Sequence, residues 1–181
     1  MKYLSTLLIV ILLAAACGSD SDSGASVPPA DDGSSSAEVL ATAVEELITK
    51  DHTFGAGPPP FTEYLIQSSL DPAAGIVEDG TDPVVRPLTS VEREAIELVV
   101  GAYGTVQWID DPDEFITDDL RPTVEGGVIL GVGEPVIDGE SGLVPVSLWC
   151  GGLCGTWFTY QLELVDEAWV VAGIDGPIAI S

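Results

Sequence analysis

Cys150 and Cys154 stand in the stretch Trp149-Cys150-Gly151-Gly152-Leu153-Cys154-Gly155. Two thiols at this spacing admit three chemistries: a disulfide across a hairpin, a redox-active pair, or half of a metal site. C-x3-C is not the C-x-x-C of thioredoxin-like sites, and no basic group stands nearby in sequence to lower a thiol pKa. Two thiolates alone do not complete a tetrahedral metal site, and His52 is far away in sequence. A structural staple is the leading reading. It closes a short loop, so its entropic gain should fall below the ~3 kcal/mol of a 15-residue loop.

The other chemistry-bearing residues are sparse. His52 is the only histidine, so any Ser-His-Asp or Cys-His site would have to use it. It stands at the entry to a Pro-rich stretch and is expected at the surface. No G-x-S-x-G occurs, and no phosphate-binding glycine loop opens a helix. Gly131-Val132-Gly133 lies in a strand pattern, where glycines mark bends or bulges. Asp110, Asp111, Asp113, Glu114, Asp118 and Asp119 form an acidic stretch without the turn glycine of a calcium loop, and read as solvated. No catalytic residue, metal site or cofactor is assigned, and weak divalent-ion binding by this stretch stays open.

The third cysteine belongs to a different feature. Lys2 precedes an apolar run from Leu4 to Ala16, which ends in Ala14-Ala15-Ala16-Cys17. The run is too short for a ~30 Å hydrocarbon core and suits a signal peptide. Its end resembles the lipobox of bacterial lipoproteins, with Ala14 in the place where leucine is common. The resemblance implies cleavage after residue 16, a lipid on Cys17, and an extracytoplasmic location on the cell membrane. Acyl chains contribute about 0.8 kcal/mol per buried CH2, so two or three hold durably. An oxidising compartment then leaves Cys150 and Cys154 as an even pair.

The chain carries 30 Asp plus Glu against 5 Lys plus Arg, a formal net charge of -25. Such a surface repels phosphate backbones, which argues against nucleic-acid binding. It also repels anionic lipid headgroups, so attachment to a membrane must run through the lipid on Cys17. The 46% hydrophobic content is too high for a disordered acidic chain. Residues 17–34 are rich in Ser, Gly, Asp and Pro and read as a flexible tether. Residues 35–181 are expected to form one domain.

The domain must position the cysteine hairpin. Ser35 with Glu38 fits a capping box, and Leu40, Ala43, Val44, Leu47 and Ile48 share one face of a helix to about Lys50. Residues 62–68 suggest a short strand, and 71–87 a long loop. Thr89 with Glu92 fits a second capping box, opening a helix whose apolar face is Ile96, Val99, Val100 and Tyr103. Residues 105–109 predict a strand, followed by the acidic loop 110–125. Four strands then follow at 128–137, 143–150, 156–165 and 169–174, and their short turns force antiparallel neighbours.

The register of this meander can be worked out. A three-residue turn at 151–153 places Leu148 opposite Thr156, Val146 opposite Phe158 and Val144 opposite Tyr160. A two-residue turn at Asp166-Glu167 places Leu164 opposite Trp169, Leu162 opposite Val171 and Tyr160 opposite Gly173. Both put Phe158, Tyr160, Leu162 and Leu164 on one face, which the helices should cover. The other face carries Trp149 and Trp157, a candidate binding face. The fold class is α+β, two helices on a curved antiparallel meander, similar to the NTF2-like or cystatin-like plan, an analogy that licenses no function.

The hairpin with Thr159-Tyr160-Gln161-Leu162 and Trp169 resembles the C-terminal region of secreted lipoproteins of high-GC Gram-positive bacteria. Their pattern is W-C-G-x-L-C-G, T-Y-x-L and a D-G-x-W turn. Here Glu167 stands in place of the turn glycine. The resemblance covers about the last third of the chain and brings no assigned activity. The expected function is a lipid-anchored, non-enzymatic module binding a ligand or protein. The alternative is a thiol–disulfide redox protein or other enzyme using Cys150 and Cys154. A small hydrophobic ligand held between helices and sheet is a further possibility.

Overall fold

The computed structural model describes residues 34–55, 57–75 and 85–181. The leader, Cys17, the tether and most of the 71–87 loop lie outside the described residues. All the described residues belong to one compact unit. Among them, no helix is long and apolar enough to cross a membrane.

Two helices pack on a seven-stranded mixed sheet, an α+β fold. Helix α1 spans Ser34–Thr49, strand β1 Glu63–Gln67, helix α2 Ser90–Val100 and strand β2 Thr105–Ile109. A 3-10 turn at Pro112–Phe115 follows. Then come β3 (Gly127–Val132), β4 (Val136–Asp138), β5 (Ser141–Gly151), β6 (Cys154–Val165) and β7 (Ala168–Ile180). The sheet order is β2-β1-β3-β5-β6-β7, with β4 paired to β5.

Strands β3 to β7 form the antiparallel part, and the expected register holds at Val144–Tyr160, Val146–Phe158, Leu148–Thr156 and Leu164–Trp169. Two details differ. The hairpin closes on Gly151 and Cys154, leaving Cys150 in a bulge, so its turn has two residues rather than three. A second bulge shifts Gly173 opposite Gln161, and Tyr160 faces Ile174 instead. The expected strand 128–137 is broken, because Gly133 turns to bond Pro145 and Glu134 turns out to Arg86. Strand β7 runs on to Ile180, since an irregularity beside Gly176 and Pro177 absorbs them without ending the pairing.

The antiparallel meander is only part of the sheet. Strand β1 pairs in parallel with both β2 and β3. Parallel neighbours need long crossovers. Helix α2 lies in the first crossover, and the acidic segment 110–126 is the second. The helix side is filled by Leu40, Leu47, Tyr64, Ile96, Leu130 and Tyr160, among others, in one continuous core. That packing occupies the space between helices and sheet, where a small hydrophobic ligand was a further possibility. On the opposite face Leu65, Ile109 and Ile129 form a second cluster, covered by Phe115, Ile116 and Val124 of the acidic crossover. Strand β3 is accordingly buried along its whole length.

Helix α2 begins as its sequence requires. Thr89 accepts from the Glu92 N–H, and the Glu92 carboxylate accepts from the Thr89 N–H. Helix α1 starts at Ser34, so Ser35 lies inside it and does not cap it. Three consecutive serines offer the same hydroxyl, and the pattern does not fix which one starts the helix. Ser36 instead donates to Glu92. Tyr103 falls beyond α2 and is exposed.

Candidate functional site

The parallel arrangement decides where loops gather. Strands β1 and β3 start at the same end of the sheet, and β5, antiparallel to β3, finishes there. Three segments distant in sequence therefore meet: the α1–β1 loop, the exit of the acidic crossover, and the cysteine hairpin. They enclose an open cleft of about 820 Å³, lined among others by Phe54, Phe61, Leu120, Val124, Leu153 and the cystine.

Cys150 and Cys154 form a disulfide with Cα atoms 5.1 Å apart. Both are half-buried, and both line the cleft. The Thr53 hydroxyl lies 3.4 Å from Cys154 Sγ, tying the α1–β1 loop to the hairpin. The hairpin also bonds the crossover, since the Gly152 N–H donates to the Leu120 carbonyl at 2.9 Å. The disulfide thus fastens the wall that joins the other two loops.

Leu120 has a φ of 56°, in the left-handed region that a leucine rarely occupies. The turn around it is over-determined. The Leu120 N–H donates to the Thr117 carbonyl, the Thr117 N–H donates to the Arg121 carbonyl, and the Arg121 N–H donates to Thr117 Oγ1. Thr117 donates to the Asp119 carboxylate at 2.6 Å, a bond that lowers the Asp119 pKa. The strained residue keeps its side chain 57% exposed. Such strain, held by surrounding bonds, is a mark of functional loops. Phe54 and Leu153 are also exposed, Leu153 at 93%.

His52 shapes the first loop. It is buried, not at the surface as expected. Both ring nitrogens find backbone partners, which removes the cost of burying them. The Phe54 N–H donates to Nδ1, so Nδ1 is unprotonated and Nε2 donates to the Gly57 carbonyl, each at 3.3 Å. The ring turns the loop back, and Phe54 packs edge-on against Phe61, centroids 5.7 Å apart. Gly126, with φ of 71°, completes the floor. A Cβ there would stand 2.7 Å from the Thr62 hydroxyl, and its carbonyl accepts from the Thr62 N–H.

Trp149 and Trp157 share the sheet face opposite the helices. Both are half-buried. Trp149 packs against the second apolar cluster beneath the acidic crossover. Trp157 lies over Gly155, the residue paired with Trp149. Neither lies under a helix, and the cleft is lined by other residues. The acidic residues 110–119 run along the crossover as Asp111 caps the 3-10 turn and Asp110 accepts from Ser68. Among the described residues, no three His, Cys, Asp or Glu are grouped to hold a metal ion.

No protein-family model, curated protein or solved structure matches this chain. The cleft must be read from its own geometry. Phe54, Leu120 and Leu153 were not singled out in the sequence. Their only signal was the exposed apolar residue within each of three loops, and no pattern links the loops to one another.

Proposed function

We propose that this protein is a lipid-anchored, extracytoplasmic binding module, without enzymatic activity, whose ligand occupies the cleft between the three loops. The observation that carries the reading is the exposed apolar rim of Phe54, Leu120 and Leu153, one of them kept exposed in a strained backbone conformation. A volume of about 820 Å³ suits a small-molecule site, and exposed apolar groups gathered at one place mark interaction surfaces. The disulfide supports pre-organisation, because it fixes one wall before the ligand arrives.

Titration with an apolar fluorescent reporter such as N-phenyl-1-naphthylamine tests the cleft. Fluorescence should rise on binding, and the Leu120→Asp, Leu153→Asp double variant should lose the rise. An unchanged response in that variant would place the binding elsewhere. The anchor has its own test. The Cys17→Ser protein should leave the detergent phase in cloud-point partition, whereas the wild type should stay in it.

A thiol–disulfide redox role is the second reading, favoured by the position of the cystine in the cleft wall with the Thr53 hydroxyl beside Cys154. A measured reduction potential separates the two. A value below about -300 mV supports the staple, and a more oxidising one supports redox chemistry.

A further inference from the structure

The cleft has a charge as well as an apolar rim. Asp119 and Glu125 line it and are exposed, against a single base, Arg121. Arg121 is already engaged, with Nε 3.4 Å from the Asp119 carboxylate. Among the described residues Glu125, which also lines the cleft, pairs with no base. Behind it stands a chain of formal net charge -25. Like-signed charge around a concave site focuses the field there and raises the local concentration of the opposite ion. The rim also presents the exposed ring of Phe54, whose face attracts cations. An anionic guest would meet the same field as repulsion.

We propose that the cleft selects a small organic cation carried on an apolar body, an amphipathic amine. The apolar body lies against Phe54, Leu120 and Leu153, and the ammonium group lies toward Glu125 and Asp119. The charge supplies selection between guests of equal apolar size, and the rim supplies the contact common to them all. This rests on the cleft being the binding site.

Three matched probes separate the terms: 4-phenylbutylamine, 4-phenylbutan-1-ol and 4-phenylbutyrate, each titrated into the full protein and followed by backbone amide NMR. All three should shift the amides of Phe54, Leu120 and Leu153, with the amine about fivefold tighter than the alcohol and the carboxylate weakest. Raising NaCl to 0.5 M should bring the amine close to the alcohol. The Glu125→Gln variant changes one exposed side chain and leaves the Thr117–Asp119 bond of the Leu120 turn intact, so it should keep the fold and the alcohol affinity while losing most of the preference for the amine. Equal binding of amine and alcohol would overturn the proposed ligand class and leave the cleft reading standing. The same would follow from a preference that survives in the Glu125→Gln variant. Shifts of none of the three residues with any probe would overturn both.

Discussion

Glu92 is the most exacting test of how this fold is held. Its carboxylate is 1% exposed and receives Nη1 and Nη2 of Arg86 at 2.8 Å each, the Ser36 hydroxyl at 2.6 Å and the Thr89 N–H at 2.8 Å. Four bonds thus join the start of α1, the start of α2 and the segment at Arg86 that leads into α2, and Arg86 also reaches Glu134 at 3.0 Å. Burial alone would raise the pKa, but the bonds from Arg86, Ser36 and Thr89 outweigh it and bring it from 4.5 to about 2. Glu92→Gln keeps the shape, removes the charge and mimics the protonated acid. A shift of that size corresponds to roughly 3 kcal/mol at neutral pH. The folded-state pKa is depressed, so this stability is present above pH 4.5 and is lost as pH falls toward 2. Urea denaturation of wild type and variant, followed by tryptophan fluorescence from pH 7 to pH 2, should show a gap of about 3 kcal/mol that closes across that window. A gap below about 1 kcal/mol at pH 7, or one that does not change with pH, would refute the role given to these bonds.

Four further measurements bear on the rest of the molecule. Replacing both Cys150 and Cys154 by serine should cost about 2 kcal/mol in denaturant unfolding, because the closed loop is short. Glu167→Gly should raise the unfolding midpoint by up to ~1 kcal/mol in free energy, since Asp166 and Glu167 both have positive φ (50° and 67°) in the β6–β7 turn. Gly131→Ala should destabilise by about 1–3 kcal/mol on the same assay, as its Cβ would fall against the Asp71 carboxylate and Ser147 hydroxyl that pack over β3. Spectrophotometric titration should find the phenols of Tyr64 and Tyr160 late to ionise: burial pushes Tyr64 up to about 12, and burial with the bond to Asp51 pushes Tyr160 higher still. Stability tied to the raised Tyr64 value is full below pH 10 and is lost as pH climbs through 12.

What the sequence disclosed follows the range over which each signal acts. The α2 cap is four residues of local chemistry, and Thr89 and Glu92 form it as read. The meander register was legible because two turns constrained the same strand, β6, from both ends. Its bulges at Cys150 and beside Gln161 were not, since no residue type marks them. The parallel pairing of β1 with β2 and β3 spans crossovers of dozens of residues, and five residues of Glu63–Gln67 carry no sign of their partner. His52 read as a surface residue because its two backbone partners, Phe54 and Gly57, exist only once the loop has folded back. Leu120 is the sharpest case. Leucine is a poor residue for a left-handed turn, and it is held there by its own N–H bond to the Thr117 carbonyl, by the bonds of Thr117 with Asp119 and Arg121, and by the bond its carbonyl accepts from Gly152.

The position of the cleft has a topological cause. In open α/β sheets ligands gather at the carboxyl ends of parallel strands, where helix-linked crossovers leave a crevice. Here the crossovers divide differently. The first, through α2, packs on the helix side. The second contains no α-helix and covers the opposite face with Phe115, Ile116 and Val124. It then returns to the amino end of β3, where the Gly126 carbonyl bonds the amides of Thr62 and Glu63 at the amino end of β1. The β5–β6 hairpin arrives at that same end because it is antiparallel to β3. Three loops are therefore forced together at the amino ends of the parallel strands, and the bond from Gly152 to Leu120 locks two of them. Weakening the hairpin wall should consequently be felt at Leu120. In the Cys150→Ser, Cys154→Ser protein, amide exchange at Gly152, whose N–H makes that bond, should speed up while exchange at Leu130 in the core stays slow. Equal acceleration at both positions would show that the disulfide supports the whole sheet and does not act specifically on the cleft.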